Sequence, residues 1–288
     1  NPPEMPNGEM EEPPEMPEGE NKESDNRPEK PSGENSQSGN RPERPSGENS
    51  QSGNRPERPT GENGEEPPEK PDGNGGMPGG NSGSSNVSHT GATEISSDTT
   101  NNGQSYSSTT GSENALLVTM GTSTLTNPTI TKSGDSDGDN SDFYGTNAAV
   151  LVHDGGILNI EGGEISTNGS HANAVFAYTD GIINISDTVI KTTSNNSGGI
   201  MVTGGGEINA SNLTIETSGG SSAPIRSDRG GGIIIVDGGT YTSNGTGSPA
   251  IYSTADIIVN GAKLVSNVSS GVVIEGDNSI TLINVELY

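Results

Sequence analysis

The chain has no cysteine and no tryptophan, two phenylalanines and six tyrosines, and only 13 lysines and arginines against 39 aspartates and glutamates. Without cysteine there is no disulfide stapling, no thiolate metal site and no cysteine nucleophile. A formal net charge of −26 repels phosphate backbones and anionic membrane surfaces, which argues against nucleic acid as a partner. No run approaches the ~18 apolar residues of a transmembrane helix. Hydrophobic residues make up 25% of the chain and aromatic ones 3%. That is too little apolar surface to offset the ordering entropy of the whole chain, so part of it is expected to stay unfolded.

The proline distribution says which part. Sixteen of the 19 prolines lie before Gly80. Residues 27–40 read RPEKPSGENSQSGN, residues 41–54 repeat this as RPERPSGENSQSGN, and a third copy begins at Arg55, giving a period of 14. Apart from proline these repeats hold no apolar residue, so neighbouring copies have no face to bury. Proline and glycine also block helix. Residues 1–86 are expected to be a disordered, solvated linker. The charge is not confined to it: residues 1–86 carry 19 acidic and 8 basic residues, and residues 87–288 carry 20 and 5, so the net charges are −11 and −15.

From Ala115 onward the character changes. Apolar residues fall into columns: Leu116, Val150, Val175, Ile200, Ile225, Ile251 and Val273; Leu125, Ile160, Ile185, Ala210, Val236, Val259 and Leu282; Ile130, Ile165, Ile190, Ile215, Tyr241, Leu264 and Leu287. In the third column the steps are 35, 25, 25, 26, 23 and 23 residues, the first containing an insertion. A fixed period in this range marks a solenoid. Within each turn apolar and polar residues alternate at period two, and Gly, Asn, Asp and Ser punctuate short β-branched runs. The expected fold is an all-β, three-sided, single-stranded parallel β-helix of about seven turns over residues 115–288. Residues 87–114 are expected to cap its N-terminal end. The last residues, Asn284 to Tyr288, lie within a strand pattern, and the chain is expected to be truncated there. It starts at Asn1 without a leader pattern, which fits a removed signal or a fragment.

Three features offer chemistry. The insertion after Ile130 brings Asp135, Asp137, Asp139 and Asp142 within eight residues. Calcium takes six to eight oxygens, and a flexible acidic loop can supply several, so these four are candidate calcium ligands; the alternative is a solvated acidic loop. Next, if Val150 and its equivalents point inward, the outward column is Leu151, Phe176, Met201, Arg226, Tyr252 and Ile274. Two residues further on lies a second outward column: His153, Tyr178, Thr203, Asp228 and Thr254. Aromatic rings among polar groups on one sheet face suit a polysaccharide or glycan, with Phe176, Tyr178, Arg226, Asp228, Tyr252 and His153 as candidate ligand-binding residues. The alternative is a side loop covering this face. Third, Arg226 or Arg229 pairs with Asp228, a structural role preferred over a lyase base at Arg226. Asn159, Asn184 and Asn209 occupy equivalent positions and are expected to form a hydrogen-bonded ladder.

The stretches DFYGTNAA at residues 142–149, NSGGI at 196–200, IRSDRGGG at 225–232 and GSPAIYST at 247–254 resemble the secreted, adhesin-like β-helix proteins of anaerobic bacteria. More distantly they resemble pectate-lyase-like β-helices. The resemblance implies a right-handed parallel β-helix at an extracellular or cell-surface location and no established chemistry. The function expected is non-catalytic binding of polysaccharide or glycan. A polysaccharide lyase or hydrolase, and a structural surface spacer, remain as alternatives.

Overall fold

The computed structural model describes residues 87–288; the linker expected over residues 1–86 lies outside them. The described residues build a parallel β-solenoid with three faces. Each face is a sheet of eight strands, one from each turn. The first sheet runs from Glu94–Ile95 to Val272–Ile274, the second from Thr99–Asn102 to Ile280–Ile283, and the third from Ser105–Ser108 to Glu286–Leu287. Every strand pairs in parallel with its equivalent one turn away, as in Val175↔Ile200 and Ile190↔Ile215. Neighbouring strands lie about 4.8 Å apart, so the stack is roughly 34 Å tall.

The columns meet inside. Leu116, Val150, Val175, Ile200, Ile225 and Ile251 are all fully buried, as are Ile130, Ile165, Ile190, Tyr241 and Leu264. The second sheet contributes a further inward column: Leu158, Ile183, Ile208, Ile234 and Ile257. One turn alone buries little, but stacking turns buries a continuous core, which is how a chain poor in hydrophobic residues folds.

Polar groups complete the corners. Ser197, Ser222 and Ser248 lie buried above one another. The Oγ of Ser222 accepts from the Ser197 amide at 2.9 Å, and that of Ser248 from the Ser222 amide at 2.8 Å. Each hydroxyl also donates to a carbonyl, Ser197 to Gly169 at 2.9 Å and Ser222 to Ser194 at 3.1 Å. The corner backbone is thereby satisfied without water. At another corner Asn127, Asp187 and Asn212 take φ of 48°, 52° and 51°. These are residue types whose short polar side chains tolerate the left-handed region.

Three expectations need correcting. The stack has eight turns, because residues 94–108 form a complete first turn of their own, with Ile95 and Tyr106 pointing inward. In the last turn the inward residue is Val272, not Val273, since Ile251 pairs with Val272 and Tyr252 with Val273. Third, the insertion is not an open loop. Residues Gly138–Tyr144 form a helix, α1. Among the described residues no helix is long and apolar enough to cross a membrane.

Candidate functional site

The outer face of the first sheet carries, in register, Leu117, Leu151, Phe176, Met201, Arg226, Tyr252 and Val273. The helix α1 divides this column in two.

Over the first half the C-terminal end of α1 packs on the sheet. Leu117, Leu151, Phe176 and Met201 form an apolar cluster beneath it with Ala148, and Tyr178 packs at its margin. Phe176 is fully buried. The helix ends at Gly145, where φ is 71°. A Cβ there would stand 2.9 Å from both Leu151 Cδ1 and Phe176 Cγ, so glycine serves both the left-handed C-cap and the close approach. Five contacts hold α1 down. Thr203 donates to the Phe143 carbonyl at 2.7 Å, and His89 Nε2 to the Tyr144 carbonyl at 2.8 Å. His171 Nδ1 lies 2.7 Å from Asp142, and Arg229 donates to Asp139 at 2.8 Å. The Arg229 guanidinium also sits 3.6 Å from the Phe143 ring centroid.

This placement separates the candidate residues. Phe176 offers no exposed ring. His153 is buried with its ring 4.5 Å from that of His89 and its Nδ1 3.0 Å from Asp154. Tyr178 stands edge-on to Tyr144, at 5.7 Å between centroids. Phe176 is thus covered by the end of the insertion at Gly145, Tyr178 is half-buried beside Tyr144, and His153 packs against His89. The acidic insertion does not converge on one point either. Asp139 and Asp142 are engaged as described, Asp135 accepts from the Ser170 amide at 2.8 Å, and Asp137 occupies the N-cap without a side-chain bond. Among the described residues no three of His, Asp and Glu are placed to share a metal ion.

His89, which carries no sequence signal, joins this region to the first residues before the stack. Burial holds its imidazole below the ordinary 6.5; the Tyr144 carbonyl opposes this, His153 adds to it and Asp154 opposes it. The folded state therefore binds this proton less readily than the unfolded chain. Burying the neutral ring therefore contributes stability that is present above pH 6.5 and is lost as pH falls below that value, although the Tyr144 carbonyl itself favours the charged form. Limited proteolysis within residues 133–147 should accelerate below about pH 6.5 in the native chain and much less in His89→Gln. The His171–Asp142 pair also sits on α1, so the comparison of the two chains carries the test. Identical pH profiles would remove His89 from the account.

The second half of the column is open. Arg226 NH2 donates to Asp228 Oδ2 at 3.1 Å, and NH1 to the Ser221 carbonyl at 3.3 Å. The side chains of Arg226 and Asp228 are only 12% and 14% exposed, so this pair is better shielded than an ordinary surface ion pair. The guanidinium lies 5.9 Å from the Tyr252 ring centroid. Burial, then Asp228 and Glu275, push the Tyr252 phenol up to about 12, so it stays protonated. With Ser221, Ala223, Gly247 and Pro249, these two side chains line a cleft of about 220 Å³. Of the two pairings expected for Asp228, the structure selects Arg226; Arg229 reaches Asp139, 90 residues away in sequence.

On the second sheet the expected ladder is present. Asn184 Nδ2 donates to Asn159 Oδ1 at 2.8 Å and Asn209 Nδ2 to Asn184 Oδ1 at 3.1 Å. It ties successive turns together along a half-buried face. Compared with protein-family models, with curated proteins and with solved structures, the chain shows no match.

Proposed function

We propose that this protein is a non-catalytic β-helix of the extracellular space or cell surface, and that it binds a glycan at the Arg226–Tyr252 cleft. The observation that carries this reading is the open half of the first sheet's outer face. There an aromatic ring and a guanidinium oriented by Asp228 line a small concave site. Such a site pairs an apolar ring face with fixed donors and acceptors, the combination a sugar presents in reverse. The acidic composition and the absence of cysteine are compatible with the location and do not require it. A lyase reading has less support. Arg226 is committed to Asp228, and the raised Tyr252 phenol is a poor base.

The test is retention of the full chain on immobilised glycans, with and without calcium. The native chain should bind at least one glycan class, and Tyr252→Ala combined with Arg226→Ala should abolish it. Phe176→Ala should leave the cleft's own contacts intact. Release of unsaturated or reducing ends would turn the reading to an enzyme, and no retention on any glycan would sink it.

A further inference from the structure

We infer that the saccharide taken by the Arg226–Tyr252 cleft is uncharged, with uronates and sulfated sugars excluded; this rests on the glycan reading above and names its ligand class. The charge balance at the cleft carries the inference. Arg226 is the cation at this site, and Asp228 neutralises it at 3.1 Å. The ion pair thus carries no net charge, and Glu275, which helps raise the Tyr252 phenol, adds negative charge near it.

Among the described residues no other basic side chain lines the cleft to balance an anionic ligand. Of the five basic residues after residue 86, Arg229 is held by Asp139 and Phe143. Lys132 is buried, donating to the Thr110 and Gly134 carbonyls at 2.7 and 2.9 Å. Lys191 and Lys263 lie on strands of the third sheet. The field of residues 87–288 as a whole, a net −15, adds to the exclusion of anions.

The hydrogen-bonding geometry points the same way. Carboxylate recognition by arginine uses two parallel N–H groups on one edge of the fork. In Arg226 one terminal nitrogen already serves Asp228 and the other the Ser221 carbonyl. An incoming carboxylate that took the edge paired with Asp228 would displace it and leave a mostly buried carboxylate without its partner, which is strongly unfavourable. A hydroxyl needs only one of the remaining N–H groups and leaves the pair intact. The cleft, at about 220 Å³, lies below the roughly 300–1,000 Å³ of drug-sized sites. It has room for one sugar ring, with neighbouring rings in solvent.

The experiment is titration of the full chain with neutral and uronate-containing oligosaccharides of matched length, at low and high salt. Neutral ligands should bind at least about tenfold more tightly, a difference well resolved by calorimetry, and their affinity should not depend on salt. Asp228→Asn, which frees the guanidinium at constant side-chain size, should narrow or reverse that preference. Glu275→Gln, at an exposed position, should shift it in the same direction and guards against a folding defect in the first variant. Tighter, salt-sensitive binding of uronates by the native chain would overturn the inference while leaving the glycan reading in place. Binding of neither kind would overturn both.

Discussion

Phe176→Ala should release α1 from the first sheet. The ring is fully buried between Leu151 and Met201 in register, and the Gly145 backbone closes over it. Truncating a buried phenylalanine costs about 3–5 kcal/mol in well-packed sites. Here the ring points away from the solenoid core, into a separate apolar cluster with Leu117, Ala148, Leu151 and Met201, against which the α1 C-cap Gly145 closes. The loss should therefore appear as opening of α1 and not as collapse of the stack, and opening should increase at least a hundredfold, the factor that about 3 kcal/mol carries. Hydrogen exchange and proteolysis within residues 133–147 would read it directly. Phe176→Leu, which keeps most of the apolar volume, should lose much less. Unchanged protection of that segment in Phe176→Ala would show that the ring does not hold α1 in place.

Ile190→Ala should destabilise the solenoid itself. Ile190 is fully buried at the centre of the third sheet, in register with Ile165 and Ile215. Removing three buried carbons without collapse of the surroundings costs about 2–5 kcal/mol. For a domain of this size that lowers Tm by about 4–20 °C. Each turn touches only its neighbours, so amide protection should fall most in the turns that carry Ile165, Ile190 and Ile215. The turns at the two ends should change least. An unaltered Tm would remove Ile190 from the core.

The two substitutions probe parts of the molecule that differ in how openly the sequence displays them. The core columns are plain because every inward residue meets its equivalent one turn later, and outside the one insertion the chain length of a turn barely varies. The Asn159–Asn184–Asn209 ladder is plain for the same reason. For Asp228 the sequence offers two arginine partners, Arg226 and Arg229, and only the structure selects Arg226. Where the pattern is locally degenerate, the reading slips. Val272, Val273 and Ile274 are all apolar, so alternation cannot choose among them, and only pairing with Ile251 and Tyr252 does. In the first turn, Ile95 and Tyr106 stand among serines and threonines, and two apolar residues do not announce a turn.

The contacts around α1 have no sequence signature. Gly138 to Tyr144 holds residues of poor helix propensity, and the helix exists because Thr203, His89, His171 and Arg229 hold it against an apolar face. Arg229 and Asp139 meet across 90 residues, and His89 meets Tyr144 across 55. The four aspartates of the insertion look like a cation loop as a string. In space two of them are partners of distant side chains.

The sequence by itself determined the repeat, the three-sided stack and the acidic character, because strand alternation and turn length are local and recur in every turn. Only the tertiary structure decided which part of the outer face is open. An insertion settles on whatever surface it can cover, and its own residues do not encode where that is. Phe176 is thereby covered, and the Arg226–Tyr252 cleft is left accessible.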